Sequence, residues 1–106
     1  SNHGGRTLDG AISSIEALPD VVSAIKGKAT VLLDSGVIRG SDAAKAICLG
    51  ASAVFVGRAT LWGVAAGGQP GAARAIDLLT SELRRVMAYL GCNSVADLGP
   101  HLIHQK

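Results

Sequence analysis

The chain has 106 residues, a length suited to one small domain, and 48% of them are apolar. Phe, Trp and Tyr occur once each, so any core must be built from Ala, Val, Leu and Ile. The formal charge is only +2 and no lysine-arginine block occurs, which disfavours nucleic acid or an anionic membrane as the main partner. No apolar run approaches the ~20 residues of a membrane span, and no basic-then-apolar leader is seen. Cys48 and Cys92 are far apart in sequence, lack metal-ligand spacing and read as reduced thiols, which suggests the cytoplasm. The first residue is not Met, so Ser1 is not expected to be a translation start.

The opening Ser1-Asn2-His3-Gly4-Gly5-Arg6 reads as an active-site loop. Histidine can take up and return a proton near neutral pH, and arginine offers a planar fork that matches a carboxylate. Gly4 and Gly5 would let the backbone turn sharply beside a flat ligand. From Ala11 to Ile25, apolar residues recur at helical spacing, with Pro19 expected in the first turn of a second helix and Gly27 at its end. Thr30 to Leu33 reads as a strand buried on both faces. A helix is then expected from Ser41 as N-cap to Gly50, with Ala43, Ala44, Ile47 and Cys48 inward.

Ala53 to Val56 reads as a second buried strand, followed by a helical turn around Leu61-Trp62 and a loop at Gly67-Gly68. The longest helix is expected from Pro70 to Leu90, with Ile76, Leu79, Leu83, Met87 and Leu90 inward and Arg74, Asp77, Glu82 and Arg85 on a solvated face. A last short helix starts at Asn93 or Ser94, and His101 to His104 reads as a frayed tail. Strands alternating with helices imply an α/β fold with parallel strands. Two strands make no stable parallel sheet alone and would leave open edges, so an independent structural domain is a poor reading. A piece of a larger domain is the expectation.

Three polar clusters fall where strands would end and loops lead into helices, the usual place for functional groups in such folds. They are His3 with Arg6; Asp34-Ser35-Gly36 followed by Arg39-Gly40; and Gly57-Arg58. Glycine-turn N–H groups, a helix N-terminus and an arginine together make an anion site. The spacing therefore suggests a phosphorylated ligand held by the second and third clusters, with the first facing its reactive end.

The residues Ser1-Asn2-His3-Gly4-Gly5-Arg6-x-Leu8-Asp9-Gly10, Asp34-Ser35-Gly36-Val37, Leu49-Gly50-Ala51 and Val56-Gly57-Arg58 resemble the FMN-dependent α-hydroxy-acid oxidases and dehydrogenases. The resemblance runs over nearly the whole chain, and the Asp-Ser-Gly and Gly-Arg-Ala-Thr-Leu variants lean towards its mandelate and lactate dehydrogenases. It implies the C-terminal part of one FMN-binding TIM (β/α)8 barrel spanning 1–106, with strands 7 and 8 at Thr30–Leu33 and Ala53–Val56. The rest of the barrel would be a partner segment absent from the chain. By motif match, His3 would be the active-site base and Arg6 would bind the carboxylate of a small (S)-2-hydroxy acid such as mandelate or lactate. Ser1 and His3 would lie beside the flavin, while Asp34, Ser35, Gly36, Val37, Arg39, Gly57 and Arg58 would hold the phosphate end of FMN. The resemblance also implies a homotetramer, cytoplasmic or associated with a membrane through segments outside this chain.

One position departs from the family pattern. Where the family places an arginine on the phosphate, this chain has Ile38, followed by Arg39. Either Arg39 substitutes, or the phosphate relies on Arg58 and backbone N–H groups. Ile38 is also the one support for an alternative reading, a phosphate-ligand-binding α/β module without turnover.

Overall fold

In the computed structural model the backbone is described for residues 2–104 and the side chains for residues 5–104. Helix α1 covers Asn2–Thr7, where a loop was expected; the freedom of Gly4 and Gly5, which suggested a turn, equally admits helical angles. Helix α2 covers Ser14–Ile25 as one element rather than two. Its start is fixed by a reciprocal cap: Ser13 Oγ accepts from the Glu16 N–H at 3.4 Å, and the Glu16 carboxylate accepts from the Ser13 N–H at 3.3 Å and the Ser13 hydroxyl at 2.6 Å. These bonds, the hydroxyl first, hold the Glu16 carboxyl below its ordinary range. Pro19 sits inside this helix, where it removes one backbone donor on an exposed face without ending the element.

The strands are shorter than their apolar runs. β1 is Leu32–Leu33 and β2 is Ala53–Val54, paired in parallel with Leu32 opposite Ala53 and Leu33 opposite Val54. Backbone bonds from Ser52 to Val31 and from Phe55 to Leu33, at 2.7 and 2.8 Å, extend the seam on both sides. The expectation of burial on both faces fails. Leu33 is buried, but Leu32 is 48% and Phe55 60% exposed, because among the described residues no element covers the side opposite the helices.

Helix α3, Gly40–Cys48, crosses from β1 to β2 and carries small residues on two sides. Ala43 and Ala46 join Leu18, Leu33, Val37 and Ala51 in the core beneath the sheet, packed by Ile15, Val22 and Val54. Burying a leucine such as Leu18 or Leu33 contributes about 1.5–3 kcal/mol. On the opposite side, Ala44 and Cys48 meet Leu98, with Leu83, Val86, Met87, Cys92, Leu102 and Ile103 around them. Both cysteines are free, and burial pushes the Cys48 thiol up from its ordinary value. The tail that read as frayed is therefore packed, because Leu102 and Ile103 cover this second cluster after the turn Pro100–Leu102.

Helix α4 spans Arg58–Tyr89, broken at Gly67 and Gly68, whose backbones are non-helical. The expected turn at Leu61-Trp62 is thus a full arm, 58–66, and the expected long helix is the second arm, 69–89. The arms approach so closely that a Cβ on Gly63 would strike the backbone of Gly71, and the reverse. Leu83 and Met87 face inward as expected, whereas Ile76 and Leu90 stay exposed. In the short turn Val95–Asp97 that follows α4, the Asp97 carboxylate accepts from the Ser94 and Asn93 N–H groups at 2.7 and 2.9 Å, which holds its carboxyl below the ordinary value.

Candidate functional site

The loop that leaves β1 turns through two successive left-handed residues, Ser35 at φ 80° and Gly36 at φ 76°. Glycine adopts this freely; for serine it costs about 1–2 kcal/mol, a local strain that the surroundings must hold in place. Three anchors do so. The Ser14 hydroxyl donates to the Asp34 carbonyl at 2.7 Å, Val37 is buried in the core, and the Asp42 carboxylate accepts from the Ile38 and Arg39 N–H groups at 3.1 and 2.9 Å. Asp42 therefore makes the start of α3, with Arg39 as N-cap, and the expected cap at Ser41 is displaced by two residues. Both serine and aspartate suit helix starts, and here the carboxylate reaches back across the turn.

This loop forms one wall of a cavity of about 250 Å³, lined by Arg6, Asp34 to Ile38 and Phe55 to Arg58. The three polar clusters, dispersed in sequence, thus contribute to a single space. Gly57 is the N-cap of α4 and no side chain caps that helix. Its first-turn N–H groups have no partners within the helix, and its positive dipole end opens beside Arg58. Ser35 Oγ is buried and has no hydrogen-bond partner among the described residues. The Arg58 guanidinium, an uncapped helix start and an unpartnered hydroxyl fit an anionic group such as a phosphate, and Arg6 brings a second guanidinium to the same cavity. Phe55, Val56 and Ile38 supply an apolar stretch against which a flat ring system could lie.

Not every expected residue is there. Arg39 does not line the cavity: its guanidinium lies 4.0 Å from Glu82 Oε1, and its side chain is 70% exposed. The reason is the turn at Asp42, which sends residue 38 to the cavity and residue 39 to α4. Ser1 and the side chain of His3 lie outside the described residues, so the proposed base is placed only by its backbone in α1. Phe55 and Val56 were read as strand core alone; their location at the end of β2, beside Gly57, was the available signal. A second, mainly apolar cavity of about 380 Å³ lies behind α3, between Ile15, Cys48, Val86 and Leu102, and contains none of the expected site residues.

A family model described as FMN-dependent dehydrogenase matches residues 1–105. The chain belongs to this family. L-lactate oxidase of Nostoc sp. is 53% identical over 104 residues, which cover 98% of this chain and 28% of that protein. 2-Hydroxyacid oxidase 2 of Rattus norvegicus is 52% identical over 103 residues, 97% of this chain and 29% of its own length. Among solved structures, the monotopic membrane protein (S)-mandelate dehydrogenase superposes with a TM-score of 0.91 at 46% identity, over all of this chain and 28% of that one. The chain therefore spans less than a third of these FMN-dependent relatives, and folds as a portion of the larger TIM-barrel enzyme. No described helix is long and apolar enough to cross a membrane.

Proposed function

We propose that this chain forms the FMN-phosphate and substrate-carboxylate side of an enzyme that oxidises a small (S)-2-hydroxy acid, such as lactate or mandelate, to the 2-oxo acid. The observation that carries the reading is the one cavity uniting Arg6, Asp34 to Ile38 and Phe55 to Arg58. β1 and β2 would be strands 7 and 8 of a single barrel whose other strands cover the exposed face of Leu32 and Phe55. Arg58, the first-turn N–H groups of α4 and the Ser35 hydroxyl would hold the phosphate, in place of the arginine that Ile38 replaces. Arg39, turned to Glu82, is left out of that set.

When bound, FMN supplies a two-electron acceptor. Arg6 would orient the substrate by a two-point contact with its carboxylate. An imidazole nitrogen of His3 would take the proton that the 2-hydroxy acid releases at its α-carbon or its hydroxyl. The proposal includes assembly as a homotetramer in the cytoplasm, with any membrane attachment made by segments other than those described.

The test is the visible spectrum of the full-length protein. A yellow preparation that bleaches when L-lactate or L-mandelate is added without air supports oxidation. Colour without bleaching by any 2-hydroxy acid favours the phosphate-ligand-binding module without turnover, the reading that Ile38 supports. A preparation that stays colourless after incubation with FMN refutes both.

A further inference from the structure

Glu82 stands on the second arm of α4, among charges that would ordinarily form a solvated face. Its carboxylate is instead half-buried against the start of α3. Glu82 Oε2 accepts from the Gly40 N–H at 2.8 Å across 42 residues of sequence, and its Oε1 faces the Arg39 guanidinium at 4.0 Å. The approach is tight, since a Cβ on Gly40 would come within 2.6 Å of the Glu82 carbonyl carbon and 2.7 Å of the Glu82 Cβ. Gly40 is buried and lies two residues beyond Ile38, the end of the loop that walls the cavity.

We infer that Glu82 is a positioning residue for the anion end of the cavity, acting on the 34–39 loop through the Gly40 N–H. This rests on the reading of that cavity as the FMN site. The physical grounds are two. Asp42 and Glu82 together occupy the N–H groups of Ile38, Arg39 and Gly40. The loop's C-terminal end is thereby tied to α4, and it is also the N-cap of α4 that borders the cavity from the other side. The two walls that would meet the phosphate are thus linked through the two arms of α4, which pack closely where Gly63 meets Gly71. Arg39, one residue from the cavity, lies outside it with its guanidinium 4.0 Å from Glu82 Oε1.

The experiment compares FMN with riboflavin, which has the same ring but no phosphate, on the full-length protein by fluorescence titration. Glu82→Ala and Glu82→Leu remove the acceptor, the latter keeping side-chain bulk. Each should weaken FMN about tenfold or more while changing riboflavin less than about threefold, losses of roughly 1.4 and under 0.7 kcal/mol. Glu82→Gln retains an acceptor oxygen for Gly40 and should keep the FMN preference within about threefold of the parent. A merely structural role would weaken both ligands alike, and that result overturns the inference. So does unchanged or tighter FMN binding in Glu82→Ala and Glu82→Leu, or a Glu82→Gln protein that behaves like them. Failure of the parent protein to bind FMN at all would instead sink the reading of the site.

Discussion

Introducing the missing guanidinium at Ile38 tests the phosphate assignment most directly. Ile38 lines the cavity and is 45% exposed, and its backbone is fixed by the Asp42 carboxylate at 3.1 Å, so Ile38→Arg starts a long side chain from a set position. A hydrogen bond to a charged group contributes about 1.5–3 kcal/mol, whereas a fully exposed ion pair contributes about 0–1 kcal/mol. A position roughly half open to solvent, with Arg6 and Arg58 already on the same cavity, belongs near the lower end of the first range. About 1.4 kcal/mol corresponds to a tenfold change. FMN release from Ile38→Arg, followed by the recovery of free-flavin fluorescence after dilution, should therefore slow by about tenfold. An unchanged or faster release would refute the placing of the phosphate beside residue 38.

The other expectations concern the same walls and the fold that holds them. Arg58→Ala should weaken FMN by about tenfold or more and Arg39→Ala by less than about threefold in an equilibrium titration; the reverse order would restore Arg39 to the site. Gly40→Ala places a methyl group against the backbone of Glu82 and Leu83, and such overpacking costs about 1–3 kcal/mol, so the melting temperature should fall. An unchanged melting temperature would show that α3 and α4 part without cost. Asp97, held below its ordinary value of 3.8 chiefly by the Ser94 N–H, stabilises the fold above that value, and the contribution is lost as pH falls through the lower folded-state value. Asp97→Asn should therefore lower the urea midpoint at pH 7 more than at pH 2; an equal loss at both would argue against the linkage.

The order of elements and their parallel pairing were legible from short apolar runs separated by helical periods. The strands' shortness was not, since a ladder's length depends on neighbours that sequence periodicity does not reveal. Pro19 misled because its ring suggests a boundary, while the Ser13–Glu16 cap had already set the helix in motion upstream. Members of all three polar clusters, Arg6, Asp34 to Gly36 and Gly57-Arg58, line one cavity, and turn glycines and arginines after strands were the local signals for them. Arg39 shows the limit of that approach. One residue's rotation along the chain separates a side chain facing a ligand from one facing a helix, and Asp42 decides it through a bond the spacing did not specify. Glu82 carried no local signal at all: on its own helix it is one charge among several, and its role depends on a glycine 42 residues away.

The break at Gly67 and Gly68 has a consequence for how this sequence can drift. Where the two arms of α4 cross, each of Gly63 and Gly71 occupies the space a side chain on the other would need. Neither position can accept even a methyl group unless the hairpin opens, and opening it would tilt the arm that begins at Arg58. Substitution at this crossing, outside the cavity lining, is thus coupled mechanically to the direction in which Arg58 points. Variants at Gly63 or Gly71 should accordingly survive only with a compensating change at the hairpin's tip.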